Sequence, residues 1–442
     1  MNQPIIVGAG ISGLSAAAWL PNAIVLEAKD CVGGWIQTQE NPLGFSIDLA
    51  ANGWLDNEPT VLELLRHVGL EDEILPASSE RTIRYVYHRN TLITLPQKPP
   101  HILSTPLLSL WSKIRLLWEP FIAKYSGAKE ESVAEFVSRR LGKGVIPTLL
   151  APMTAGVFAA QPEELSLKAA FPRLFEMEQQ YGSLWQALRK GPKGKAPVLT
   201  SLKTSTGALC THIAQQLGNR LHTQCPVTRL DRIDNKWVLN TPKGEFTTEQ
   251  LILACPAFVQ AKLLSTVSPE LSTKLSEIQY SSVALAVSVY KKEEYNPQGF
   301  GMLVSKETEL HEVLGILFSS RIFPSRYPKE YTVTRTILGG TRYPHLLAQS
   351  DHDILLRVHK AHNEILKTTA KPIGQHVYRH TRSIPLYDVH HAARQNDIER
   401  LCTEYSGLQL IGNHLGGVGV KDCIRNGHNA AQQILTHNTT KH

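Results

Sequence analysis

The sequence predicts an α/β (α+β) protein of more than one lobe, and three observations lead there. The chain has 442 residues, about three times the commonest single-domain length. It opens on a strand, a glycine-rich turn, a helix and a second strand. Short apolar strand segments then recur far downstream, beyond a helix-rich stretch. Apolar residues make up 42% and charged residues 19%, enough to bury a sizeable core and unlike a disordered chain.

Several classes drop out at once. No uncharged apolar run reaches the ~18 residues of a spanning helix. The start, Met1-Asn2-Gln3-Pro4-Ile5, lacks a basic n-region and an h-region, so export is not expected. Six cysteines lie far apart with no CxxC pair, which suits reduced packing residues in a cytosolic protein. The net charge of +7 is a mild excess that favours anionic ligands or acidic headgroups, and nucleic acid is not an expected partner. No metal is expected: His359/His362 and His376/His380 have no acidic or cysteine cluster beside them and read as solvated helix positions.

The opening segment carries the chemistry. Ile5-Ile6-Val7 is apolar and β-branched, as a buried parallel strand requires. It runs into Gly8-Ala9-Gly10-Ile11-Ser12-Gly13, then into an alanine-rich helix, Leu14 to Leu20. A second strand, Ala23 to Leu26, ends on Glu27. In this context GxGxxG is a dinucleotide fingerprint. Gly8 makes the tight turn, Gly10 lets a pyrophosphate touch backbone, and Gly13 lets helix and strand pack. The helix N-terminus faces the phosphates, and Glu27 takes the ribose hydroxyls. Glu27 follows Gly13 by 14 residues where about 20 is usual, so the helix is expected to be shortened.

Beyond Glu27, the run Ala28-Lys29-Asp30-Cys31-Val32-Gly33-Gly34-Trp35 resembles the second fingerprint of the amine-oxidase-like flavoproteins, which implies FAD. Three further blocks resemble the oxygen-dependent protoporphyrinogen oxidase branch: Ala151 to Pro172, continuing to Leu184; Ser201-Leu202-Lys203-Thr204-Ser205; and Gly412 to Gly427. Thr204 and Ser205 stand where that branch has glycines, so the loop near the flavin is expected to be less open. The resemblance runs from Ile5 to Ile434. It implies a Rossmann-like FAD-binding domain (1–78, 200–265, 385–442) interleaved with a mixed-sheet substrate domain (79–95, 270–384) and a helical, membrane-associating lobe (96–199).

The resemblance implies noncovalent FAD against Gly8, Gly10, Ile11, Ser12, Gly13, Glu27, Ala28, Gly33, Gly34, Trp35, Gly412, Gly419 and Val420, with the backbone of Val227 holding adenine. A core strand explains Val227 equally well. The glycines after Gly412 leave room under an isoalloxazine, and a helix beginning near Val420 aims its amides at the pyrimidine edge. Strand segments Gly299 to Val304 and Leu314 to Pro324 match the substrate lobe. There Phe300 stacks on a porphyrinogen and Gly299 leaves room for it, although a core Phe fits nearly as well. Asn52 stands where several relatives place a basic residue for a propionate.

The implied reaction is oxidation of protoporphyrinogen IX to protoporphyrin IX by successive hydride transfers to flavin N5, with dioxygen as acceptor and hydrogen peroxide released. Coproporphyrinogen III is the alternative substrate. An amine oxidase, a phytoene desaturase or a flavin-free GDP-dissociation-inhibitor-like protein are more distant alternatives. Residues 100–126, with Trp111, Trp118, Lys113 and Arg115 in one short helix, have the composition of an interfacial anchor. Packing on the chain's own domain is the competing explanation for that helix. The expected location is cytoplasmic, peripheral on the inner face of the cell membrane, with hand-over of product to a chelatase. No oligomeric state follows from the sequence.

Overall fold

The computed structural model describes residues 3–96, 99–127, 129–191, 195–308 and 310–439. By contact these form two compact units: Met1–Pro76, Pro197–Gln279 and Ala393–His442 make unit 1, and Ala77–Ala196 with Tyr280–Ala392 make unit 2. The helical segment therefore shares a unit with the strands expected to form the substrate domain.

Unit 1 is built on a five-stranded parallel sheet. Its centre is β1 (Ile5–Val7), with β2 (Ile24–Leu26) on one side and Leu251–Leu253 on the other. Leu221–His222 extends it beyond β2, and Leu408–Leu410 beyond Leu251–Leu253. This is the strand order of a dinucleotide-binding sheet. All three residues of β1 are buried, because helices cover both faces of a parallel sheet. Helix α1 (Ile11–Trp19) follows β1 and packs against the C-terminal helix Val420–Thr439. The two approach at Gly427, where a Cβ would stand 2.4 Å from the Ser12 carbonyl oxygen. An antiparallel meander, Arg229–Ile233, Lys236–Thr241 and Gly244–Thr248, completes the returning half.

Unit 2 carries a seven-stranded mixed sheet in the order Gly374–Pro385, Tyr280–Lys291, Tyr331–Gly339, Val313–Leu317, Gly301–Val304, Arg84–His88, Thr91–Thr94. Only the pairing of Gly301–Val304 with Arg84–His88 is parallel. Its core gathers Ala284, Ile316, Phe318, Leu338 and Val358.

Three expectations change. The strand expected over Leu314–Pro324 stops at Leu317, and Ser319–Ile322 turns into a short helix. Residues 100–126 are not one helix but Pro99–Ser104, Leu110–Leu117 and a 3-10 turn Glu119–Phe121. Pro106 and Pro120 stand at its breaks, since proline lacks the amide that an interior helix position needs. His376 and His380 lie on a strand, while His362 is fully buried. Its Nδ1 lies 3.0 Å from the Tyr295 hydroxyl and its Nε2 lies 2.9 Å from Thr336 Oγ1. Burial pushes the His362 imidazole down to about 3, so it stays neutral inside this polar cluster. Among the described residues no group of side chains is arranged to hold a metal.

The helical part of unit 2 is fastened by buried charges. Arg140 meets Glu119 Oε1 at 3.1 Å and Glu178 Oε1 at 2.6 Å. Arg139 joins Glu178 at 2.8 Å and Glu131 at 2.6 Å. Glu119 also accepts from the Ser183 hydroxyl at 2.6 Å and the Leu184 amide at 2.9 Å, tying the 3-10 turn to the next helix. Burial alone would raise the Glu178 pKa, but the hydrogen bonds from Arg139 and Arg140 outweigh it and hold the carboxyl below its ordinary 4.5. A depressed folded-state pKa contributes stability above the unfolded value and loses it as pH falls through the folded one. Arg140→Met should therefore cost about 3–5 kcal/mol by leaving the buried Glu119 without a cation and Glu178 with Arg139 alone. Urea midpoints at pH 7 and in mild acid measure this; a loss under 1 kcal/mol at pH 7, or one that grows on acidification, contradicts the assignment.

Candidate active site

The expected fingerprint forms one site at the carboxyl end of β1. Gly8 follows the strand, and a Cβ on Gly13 would lie only 2.0 Å from the Gly8 carbonyl oxygen, so helix and turn meet as closely as backbones can. The second glycine pair lies beside the first: Gly33 donates to the Ala9 carbonyl at 2.8 Å, and Gly10 and Gly33 form an isolated parallel bridge. Glu27 closes the arrangement, its carboxylate accepting from the Ala9 amide at 2.7 Å and the Lys29 amide at 2.9 Å. Ile11 and Ser12 are buried in the first turn of α1, Ala28 is exposed, and Trp35 is half-buried with Lys29 Nζ 5.7 Å from its ring centroid.

Gly10 identifies what the site is for. Its φ of −72° and ψ of 173° suit any residue, and a Cβ there would meet nothing nearer than Gly34 Cα at 4.0 Å. The protein itself does not require glycine at that position. An occupant touching backbone does. Gly10 also caps α1 without any side-chain acceptor, leaving first-turn amides for an anion. The residues fit a pyrophosphate.

The C-terminal segment differs in its cause from the expectation. A Cβ on Gly412 would meet the His414 ring at 2.7 Å, and one on Gly419 would meet the Asp422 carboxylate at 2.9 Å. At Gly412 the His414 ring and a φ of +150° already favour glycine before any flavin is considered, whereas at Gly419 the Asp422 side chain could give way. The helix does begin at Val420 as expected. Two fully buried residues that the sequence did not single out hold the loop. Gln260 Nε2 lies 2.9, 2.8 and 3.0 Å from the Leu253, Cys255 and Ile411 carbonyls, and Gln260 Oε1 accepts from His414 Nε2 at 3.2 Å. Val227 lies in the loop before Arg229–Ile233, outside any strand. Thr204 and Ser205 precede a network in which Asp48 accepts from the Thr206 amide at 2.9 Å and the Thr38 hydroxyl at 3.0 Å.

The substrate candidates fall in different units: Asn52 in unit 1, Gly299 and Phe300 in unit 2. Gly299 and Phe300 precede the strand, which starts at Gly301. A Cβ on Gly299 would stand 2.7 Å from the Ile83 carbonyl, so this glycine serves the chain crossing rather than open space. Phe300 is half-buried, its amide donating to Ile83 O at 2.7 Å and its carbonyl accepting from Phe318 at 3.0 Å. Over its ring lies Arg84, 5.0 Å from the centroid. Arg84 reaches solvent, yet surrounding protein pushes its guanidinium below its ordinary range. Its one hydrogen bond is to the Arg81 carbonyl at 3.4 Å, and it has no carboxylate partner among the described residues. Sequence reading passed over it because a cation's missing partner is a property of the fold.

Backbone-lined pyrophosphate cradle, terminal acid and parallel sheet define a dinucleotide-binding oxidoreductase. The chain belongs to the flavin containing amine oxidoreductase family, whose model matches residues 11–435, and its cofactor is FAD. It is similar to protoporphyrinogen oxidase 2 of Arabidopsis thaliana, 28% identical over 98% of this chain and 93% of that one. The coproporphyrinogen III oxidase of Bacillus subtilis is 26% identical over 98% of both. A crystal structure from Exiguobacterium sp. 255-15, provisionally described as a protoporphyrinogen oxidase, superposes with a TM-score of 0.85 at 22% identity, covering 98% of both chains.

Gly10→Val places side-chain atoms where the pyrophosphate goes while its own neighbours leave room. The variant should fold with an unchanged far-UV spectrum and purify colourless; stoichiometric flavin in the folded variant would overturn this placement.

Proposed function

We propose that the protein oxidises protoporphyrinogen IX to protoporphyrin IX, with noncovalent FAD as hydride acceptor and dioxygen as the terminal oxidant. The observation that carries this reading is end-to-end similarity to porphyrinogen oxidases, which covers both the cradle and the mixed-sheet unit. Each two-electron oxidation would take a hydride and a proton from the macrocycle, with one dioxygen reduced to hydrogen peroxide for each. FAD supplies the redox chemistry. The chain's own residues bind and orient. Phe300 offers an aromatic face to the apolar macrocycle. Arg84, exposed and without an acid among the described residues, offers a charge-assisted pair to a carboxylate.

The similarity to a coproporphyrinogen oxidase favours coproporphyrinogen III, with four propionates instead of two, as the second reading. Aerobic turnover of each substrate, followed by porphyrin fluorescence, separates them: the higher kcat/KM should belong to protoporphyrinogen IX. Arg84→Ala should raise KM about tenfold or more with little change in kcat, the mark of lost uniform binding. An unchanged KM removes Arg84 from the substrate site. Acid precipitation should release all FAD into the supernatant; flavin in the pellet would show a covalent link.

The product passes to a chelatase in this reading, and the enzyme works from the membrane surface. No helix among the described residues is long and apolar enough to cross a membrane. Yet Leu110, Trp111, Leu117, Trp118 and Phe121 are exposed around the 110–121 tip, Trp111 and Phe121 each by 79%. Arg115 does not join a basic face there, since it donates to the Arg139 and Arg140 carbonyls. Apolar insertion rather than charge supports the surface reading. Replacing Trp111, Trp118 and Phe121 with serine should shift the protein from vesicle pellet to supernatant with FAD retained. A wild type that stays in the supernatant with both zwitterionic and anionic vesicles ends this reading.

A further inference from the structure

The aromatic face and the cation of unit 2 are held by an ion pair that neither the fingerprint nor the family resemblance singles out. Glu80 lies in the 3-10 turn Ser79–Thr82, immediately before the strand that begins with Arg84. Its Oε1 meets Arg321 Nη1 at 3.1 Å, and its Oε2 accepts from the Gly299 amide at 2.9 Å. Arg321, on the short helix Ser319–Ile322, donates through Nε to the Pro297 carbonyl at 2.9 Å and through Nη2 to Asn296 Oδ1. One pair of side chains thus grips the 296–299 loop at three residues, and Phe300 is the next residue along. The same helix is fixed to the turn by the Ser78 amide, 2.9 Å from the Ile322 carbonyl. Neither partner is strongly exposed, at 17% for Arg321 and 28% for Glu80.

Phe300 and Arg84 reach their stacked arrangement from opposite ends of this grip. Arg84 follows the turn that carries Glu80, whereas Phe300 follows the loop that Glu80 and Arg321 hold. The backbone bond from Phe300 to Ile83 and the register of Gly301 opposite Arg84 align the two strands, but the loop before Gly299 lies outside that ladder and would be free to pivot without the pair. A charged pair with several hydrogen bonds removes that freedom.

We propose that Glu80 and Arg321 are positioning residues that set the distance between the aromatic face of Phe300 and the carboxylate-seeking Arg84, and so select for tetrapyrroles with a propionate at that reach. The inference rests on the reading that Phe300 and Arg84 contact substrate. It adds that the pair acts as one unit.

Equilibrium binding of protoporphyrin IX to the FAD-loaded protein, followed by quenching of porphyrin fluorescence, tests both statements separately. Glu80→Ala and Arg321→Ala should each weaken binding roughly tenfold, and the double variant should be no weaker than either alone, as for residues acting together. FAD affinity and the visible flavin spectrum should not move, because the cradle belongs to unit 1. Should Glu80→Ala fail to fold, Glu80→Gln keeps the volume and an acceptor for Gly299 while removing the charge that meets Arg321, and the predicted weakening stands. If Phe300→Ala and Arg84→Ala weaken binding while the Glu80 and Arg321 variants only lower the melting temperature, the pair is structural and the inference falls alone. Additive losses in the double variant also overturn it. If none of the four variants changes porphyrin affinity, the substrate reading of this wall falls, and the inference with it.

Discussion

Unit 1 depends on how closely two glycine turns can approach at the end of one short strand. A Cβ on Gly34 would stand 3.2 Å from Gly10 Cα, so the two turns touch backbone to backbone. Everything around them keeps that approach possible. Three apolar residues of β1, buried on both faces, fix where the first turn emerges. Gly13 lets α1 descend onto it, and Gly427 lets the C-terminal helix close on α1 from a point remote in sequence. A cradle of this kind offers a ligand amides and missing side chains, and it tolerates little substitution but needs few particular side chains.

Unit 2 works on the opposite principle, through side-chain charges and whether they are compensated. Arg139 and Arg140 sit among Glu119, Glu131 and Glu178, where a buried cation is tolerable because each donor finds an acceptor. Arg84 has only a carbonyl at 3.4 Å and the face of Phe300. The first set is largely buried and paired by the fold, whereas Arg84 is exposed and left available to an incoming anion. A cation without a carboxylate among the described residues, beside an aromatic face, is what a ligand that is both apolar and anionic would complete.

How much could be read in advance follows from locality. The fingerprint, Glu27 and the start of the C-terminal helix were legible because each is set by residues within one or two turns of chain. The 100–126 segment was misjudged as a single helix because its composition outweighed two prolines whose positions dictate the breaks. His362 looked like a solvated position, since nothing near it in sequence announces Tyr290, Tyr295 and Thr336. Gly299 and Gly412 were read as room for a ligand, yet each is filled against by its own chain. Arg84, Glu80, Arg321 and Gln260 went unremarked for one reason: their significance lies in partners brought from distant segments, or in a partner withheld.

The contrast between the two units bears on how substrates can change within this family while the cofactor stays. Its family description names amines, whereas the relatives aligned here are named for porphyrinogens. A backbone cradle offers few side chains to vary without losing the pyrophosphate, so drift is confined elsewhere. A wall made of one ring, one unpaired arginine and an ion pair that spaces them can be altered by single substitutions whose effects stay off the flavin. On the proposed reading of that wall, its four side chains, rather than the fingerprint, are where substitutions would change substrate affinity without touching the flavin.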